Sequence, residues 1–296
     1  MQRLISYTYK GLPQWGVLTE DGRGVYPAYD MEETYLVYLG STLEEFIESG
    51  DTGLTNLAKI LESNQSEPEI TPIPLSAVEI NIPFHPRRNI FCVGKNYREH
   101  VTEFEQNEKA KTPDAPIFFT KATTSVIGPD EEIDSHADVT DSVDYEGELG
   151  VIIGKQGRDI DPEDAAEYIY GYTIINDVTA RDLQKKHAQW FLGKSLDTFC
   201  PMGPAVLIGG RPDSFTIFTK VNGALRQEGS TEDLIFSVPK LISVLSQGMT
   251  LLPGDVIATG TPKGVGMGQN PPEFLKKGDI VEITIDPIGT LKNTVK

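Results

Sequence analysis

The sequence predicts a mixed α+β protein, mostly strands with few helices, in which a small N-terminal unit precedes a larger strand-rich one. Three observations carry this. Near the N-terminus, apolar and polar residues alternate between glycine turns, the period of half-buried strands. Pro68, Pro72, Pro74, Pro83 and Pro86 crowd the polar stretch 66–88, which marks a crossing between an N-terminal unit (1–75) and a second one (76–296). Beyond it, short β-branched runs bounded by glycine and proline outnumber segments of helical period.

In chain order, Ile5, Tyr7 and Tyr9 share one strand face, and Ser6 and Thr8 the other. Turns at Lys10–Pro13 and at Glu20-Asp21-Gly22 separate this run from Trp15–Leu18 and from Gly24-Val25-Tyr26, giving a small antiparallel meander. Thr42-Leu43-Glu44-Glu45-Phe46-Ile47 has the pattern of a capped helix start, and Leu54–Leu61 is a second amphipathic helix. Asn89–Val93 reads as a buried strand. Residues 103–115 are polar and poor in apolar anchors, so a mobile excursion is expected there before strand character returns at Ile117–Lys121. Leu149, Val151, Ile152 and Ile153, closed by Gly154, form a core strand, and Tyr172–Ile175 another. Asp161-Pro162-Glu163-Asp164 suits the cap of a crossover helix between these two strands. A further helix is expected after Asp177, with Thr179 as its N-cap and Asp182 in its first turn. Val238, Leu241, Ile242 and Leu245 follow the i, i+3, i+4, i+7 rule, and Gly248 ends that helix.

Composition narrows the function classes. With 39% hydrophobic and 24% charged residues, the 296-residue chain is ordinary for a globular protein with ample core. No run reaches the length of a membrane span, and Met1-Gln2-Arg3-Leu4 does not open a signal peptide. Cys92 and Cys200 cannot build a disulfide framework or a thiolate zinc site, so a reducing cytoplasm is expected. A net charge of −18 argues against nucleic-acid and anionic-membrane partners.

The chemistry concentrates between Asp144 and Asp182. Glu146 and Glu148 stand two residues apart, so on a strand both carboxylates project from one face at the start of an apolar run. The second strand also ends on an acid, Asp177. Adjacent anions taken out of water require a proton or a cation. All-oxygen donors favour a hard divalent ion, Mg²⁺ or Mn²⁺. The competing reading is an acidic pair on a wet edge in a chain holding 44 Asp and Glu residues.

Other motifs fall short. Gly193-Lys194-Ser195 lacks the earlier glycine and the preceding strand of a P-loop. Gly264-Val265-Gly266-Met267-Gly268 is no dinucleotide fingerprint, and reads either as a binding loop or as a plain turn. Cys200 reads as structural. Taken alone, His100 and Glu103 read as a surface ion pair, Lys121 and Lys194 as snorkelling surface lysines, and His85, His136 and His187 as surface histidines.

Taken together, Cys92–Tyr97 with His100, Phe119-Thr120-Lys121, Glu146-Gly147-Glu148-Leu149, Asn176–Asp182, Gly193-Lys194-Ser195, Val221-Asn222-Gly223 and Thr259-Gly260-Thr261-Pro262 resemble the fumarylacetoacetate hydrolase family over residues 89–296. The layout and the run Asp182–His187 are most similar to bacterial members acting on oxaloacetate. The resemblance implies a mixed, strand-rich β-roll catalytic domain, a homodimer, and Mg²⁺ or Mn²⁺ on Glu146, Glu148 and Asp177. It implies a catalytic dyad of His100 and Glu103 on a closing lid, with Lys194 as an electrophilic anchor for a substrate oxyanion. Gln184 and Thr261 would orient substrate, with Arg181 and Lys121 as further substrate-side candidates. The extra aspartate ligand of true fumarylacetoacetate hydrolases has no match here, which favours smaller keto acids.

The expected activity is cleavage of a C–C bond in a small anionic 2-keto acid through a pyruvate enolate. That means oxaloacetate decarboxylation or acylpyruvate hydrolysis. Moving a proton without breaking the bond would make the protein a keto–enol tautomerase or isomerase. A non-catalytic metabolite-binding or scaffold protein on the same fold is the remaining alternative.

Overall fold

A computed structural model describes residues 1–105 and 112–296; residues 106–111, inside the stretch expected to be mobile, lie outside it. Counting elements of three residues or more, β1 (Gln2–Tyr9), β2 (Leu12–Leu18) and β3 (Gly24–Pro27) form the meander that the alternation predicts. Three helices follow: α1 (Ala28–Tyr35), α2 (Leu43–Glu48) and α3 (Gly50–Ser66). Thr42 caps α2, its hydroxyl accepting from the Glu45 N–H at 3.3 Å. Phe46 of α2 stacks on Trp15, the ring centroids 4.6 Å apart.

The second part contributes β4 (Ile90–Gly94), α4 (Arg98–Glu105), β5 (Ile117–Lys121), β6 (Gly147–Ile153), β7 (Ile169–Asn176), α5 (Arg181–Lys186), α6 (Phe191–Lys194) and β8 (Cys200–Ile208). After these come β9 (Thr216–Val221), β10 (Ala224–Ser230), α7 (Val238–Ser246), β11 (Val256–Ala258), β12 (Ile280–Ile285) and β13 (Gly289–Val295). The large sheet runs β3-β2-β1-β8-β7-β6-β11-β4-β5, and a second sheet runs β10-β9-β12-β13. β1 is hydrogen-bonded to β8, so the N-terminal meander continues the sheet that holds β6 and β7.

β6 is buried along its whole length. Leu149, Val151 and Ile153 enter a core shared with Ile217, Ile283 and Leu291 of the second sheet, whereas Ile152 packs in a core with Phe46 and Leu57 of the N-terminal helices. A strand covered on both faces reads as a continuous apolar run.

Two helix expectations are corrected. β6 and β7 are antiparallel neighbours, with Glu148 opposite Ile175, and such neighbours need no crossover helix. The segment after Asp164 makes only a 3₁₀ turn, Ala165–Tyr168. Thr179 does not cap α5: it pairs with Asp144 in a two-residue bridge, its hydroxyl donates to Asp177 O, and the helix starts after Ala180.

Candidate metal and active site

Glu146, Glu148 and Asp177 converge where β6 begins and β7 ends. All three are buried, and one oxygen from each lies within 4.8 Å of the others. Period-two geometry sets the two glutamates side by side, and the β6–β7 pairing brings Asp177 to them: the Asp177 N–H donates to Glu146 O at 2.8 Å. Glu148 accepts the Gly260 N–H at 2.8 Å.

Three buried cations face these acids. Lys194 Nζ lies 2.9 Å from Glu146 Oε2 and 2.7 Å from Asp177 Oδ2. Lys121 Nζ lies 2.6 Å from Asp177 Oδ1 and donates to Val178 O at 3.0 Å. Arg181 lies 2.7 Å from Glu146 Oε1 and 2.8 Å from Asp144 Oδ2. Both lysines are therefore interior groups, 0% and 2% exposed, not the snorkelling surface residues expected from their neighbours. Burial penalises each charge, and close pairing returns that cost.

The charges do not balance. Asp144, Glu146, Glu148 and Asp177 supply one more negative charge than Lys121, Arg181 and Lys194 neutralise. The pairs favour Glu146: burial raises its carboxyl, but Lys194 and Arg181 outweigh that and hold it well below the usual range. Glu148 takes the residue of the imbalance. Burial, then Asp177, then Glu146 push its carboxyl well above the ordinary value, and Lys194 and the Gly260 N–H offset this only in part. Three hard oxygen donors, in a cluster whose carboxylates outnumber the cations paired with them among the described residues, fit a divalent cation of the Mg²⁺ or Mn²⁺ type.

Glu146 and Glu148 floor a cavity of about 260 Å³ that is also lined by His100, Arg181, Gln184, Lys194 and Thr261. Phe119 and Trp190, ring centroids 5.3 Å apart, form its apolar wall. His100 is only 6% exposed, and its Nδ1 lies 3.3 Å from Glu103 Oε2. Glu103 also accepts the Gly264 N–H at 3.0 Å. The pair is thus an inward-facing dyad at the cavity, not a surface salt bridge, and the glycine-rich stretch is its backbone support. Gln184 accepts from Arg181 at 3.3 Å. Lys121 is the exception among the expected substrate-side residues: it sits behind Asp177 and is not part of the cavity wall. Cys200 is inert, its thiol pushed up to about 12 by burial.

Sequence reasoning missed Asp144, Asn96 and Gln227. Asp144 accepts from the N–H groups of Gly266 and Met267 and from Arg181, tying the glycine-rich loop to the site. Asn96, fully buried, bonds to Thr259 O and to both backbone polar groups of Phe236, which fixes the entry to α4. Asp144 heads the acidic motif and Asn96 lies within the Cys92–Tyr97 motif, so both had a local signal; Gln227 had none.

Fold and site together define a class, strand-rich α+β proteins with a carboxylate-floored cavity. Within that class the chain belongs to the fumarylacetoacetate hydrolase family, whose C-terminal model matches residues 89–296. It is 53% identical over 225 residues to the oxaloacetate tautomerase YisK of Bacillus subtilis (strain 168), covering 75% of this chain and 74% of that relative. Among solved structures, a fumarylacetoacetate hydrolase from Exiguobacterium antarcticum is 40% identical with a TM-score of 0.83, covering 100% of this chain and 99% of that one. A 5-carboxymethyl-2-hydroxymuconate delta-isomerase from Mycobacterium smegmatis is 33% identical with a TM-score of 0.75, covering 99% of this chain and 98% of that one. The family and fold class expected from the motifs are borne out.

Proposed function

We propose that this protein is a divalent-metal-dependent enzyme that interconverts the keto and enol forms of oxaloacetate or a closely related small 2-keto dioate. The observation that carries the reading is the shared cavity: Glu146, Glu148, buried Lys194 and His100 all border one small space, with Asp177 completing the carboxylate triad and Glu103 bonded to His100 from behind. The similarity to an oxaloacetate tautomerase moves proton transfer ahead of C–C cleavage as the leading activity.

A cation held by Glu146, Glu148 and Asp177 would supply a Lewis acid for the substrate's oxygens. Lys194 stays protonated, because burial lowers its pKa less than Asp177 and Glu146 raise it. Two of its three N–H donors go to those acids, and the third is available to a developing oxyanion. His100, oriented by Glu103, takes a proton from C3 to leave the enolate; giving that proton back to C3 restores the keto form, and delivering it to the enolate oxygen makes the enol. Arg181 and Gln184 hold the substrate end of the cavity. The Phe119–Trp190 wall limits water beside the enolate.

Decarboxylation is the second reading, favoured by the same pair of Lys194 and carboxylate floor, since loss of carbon dioxide needs only an electron sink. The two separate in one experiment, with enol absorbance and carbon dioxide release followed at fixed Mn²⁺ and corrected for the metal-only reaction. His100→Ala should lower tautomerisation by roughly 10²–10⁴-fold and decarboxylation far less. Lys194→Met should lower both. Tautomerisation unchanged in His100→Ala would sink the assigned base, and no turnover above the metal blank would sink the enzyme reading in favour of a metabolite-binding protein. We further propose a homodimer, to be checked by sedimentation. The two buried free thiols suit a reducing cytoplasm.

A further inference from the structure

The peptide between the two metal-site glutamates is held in an unusual way. Glu146 presents its backbone toward β7: its N–H donates to Asn176 Oδ1 at 3.1 Å, and its carbonyl accepts the Asp177 N–H. Gly147 turns its backbone the other way, toward β11. That strand pairs with β6 only at Gly150, Val151 and Ile152, and so stops short of Gly147. Side chains take the place of the missing strand. The Gly147 N–H donates to Gln227 Oε1 at 3.0 Å, and Gly147 O accepts the Thr261 hydroxyl at 3.0 Å. Gln227 Nε2 closes the ring by donating to Thr261 Oγ1 at 2.8 Å, and it also reaches Pro262 O at 2.8 Å.

We propose that Gln227 and Thr261 clamp the Gly147 peptide and thereby set the separation of Glu146 and Glu148. The inference rests on the metal reading above and deepens it. Gln227 is 0% exposed and Thr261 3%, so bulk water has little access to these bonds. The hydroxyl has one proton, and Gly147 O has it; one of its lone pairs takes the Gln227 amide. Gly147 itself has no room for a side chain, since a Cβ there would lie 2.3 Å from Thr219 Oγ1. Gln227 comes from β10 of the second sheet, so the clamp bolts the carboxylate-bearing strand to the opposite layer. Both are positioning residues: they act on the ion through the backbone between its ligands.

The test is Mn²⁺ calorimetry on metal-free, substrate-free protein, with the melting temperature of each variant recorded alongside. Thr261→Val keeps the shape and removes the hydroxyl; Thr261→Ser keeps the hydroxyl; Gln227→Leu removes the whole amide. Loss of groups that orient metal ligands typically weakens metal affinity by roughly 10–100-fold, and this is expected for Thr261→Val and Gln227→Leu, with Thr261→Ser at the wild-type value. Should Gln227→Leu fail to fold, the valine–serine pair decides alone. Wild-type Mn²⁺ affinity in Thr261→Val together with a raised KM would overturn the clamp and assign the hydroxyl to substrate. A wild-type protein that binds no Mn²⁺ would instead overturn the metal reading, and the clamp with it.

Discussion

Glu148 is the residue at which the site's charge balance is left open. Its neighbours Asp177 and Glu146 already hold the nearby lysines and arginine, and its own partner is a neutral backbone N–H. The folded chain therefore keeps Glu148 protonated to higher pH than the unfolded chain does. The sign follows: above the ordinary carboxylate range the unfolded state has released this proton and the folded state has not, so metal-free stability falls as pH rises. Glu148→Gln keeps an acceptor for the Gly260 N–H and removes the titration. Its metal-free melting temperature should exceed that of the wild-type chain at pH 8, and the gap should shrink toward pH 5. Calorimetry should show Mn²⁺ binding lost in the same variant. Undiminished Mn²⁺ affinity would mean that the triad is misassigned.

At the scale of elements, two pieces matter most. β6 is the scaffold, its side chains divided between two cores. Leu149→Ala, at a fully buried position one residue from Glu148, should cost about 2–5 kcal/mol in urea unfolding. α4 is its counterpart, seated on the glycine-rich stretch through the Glu103–Gly264 bond. A Cβ on Gly268 would come within 2.1 Å of Glu103 Oε1, so Gly268→Ala should expel the carboxylate and leave His100 without its orienting partner. Because Glu103 is flexible, the fold should survive: the melting temperature stays near wild type while kcat for proton transfer drops at least tenfold. A full rate in Gly268→Ala would show that the dyad does not need this seat.

For the whole molecule, the decisive feature is the continuity of the large sheet from the N-terminal meander through β8 to the carboxylate strands. Hydrogen-bonded continuity predicts one calorimetric transition for the chain, with no separate melting of the N-terminal part. Two resolved peaks would show that the β1–β8 junction is weak. Mn²⁺ at a hundred times its Kd should add roughly 2.7 kcal/mol. For a chain of this size that corresponds to a rise of about 5 °C in melting temperature, reversed by EDTA. With a net charge of −18, the field of the surface opposes the approach of an anionic substrate. Added salt should therefore raise kcat/KM at fixed Mn²⁺, and a fall would indicate steering by the rim cations instead.

What the sequence determined on its own was whatever depends on local periodicity. Alternation located the meander, the buried run at Leu149–Ile153 located β6, and the two-residue spacing placed Glu146 and Glu148 on one face of it. The Thr42 cap was equally local. Motif order added the family. What only the tertiary structure decided was compensation between distant segments. Lys121 and Lys194 follow apolar stretches and look like surface residues until Asp177, 56 and 17 positions away, is folded onto them. Gln227 meets Gly147 across 80 residues, and Thr261 meets it across 114. No period or propensity encodes such pairs, because a buried charge or amide is stabilised by whichever partner the packed sheets deliver, and that partner is fixed only when the sheets have closed.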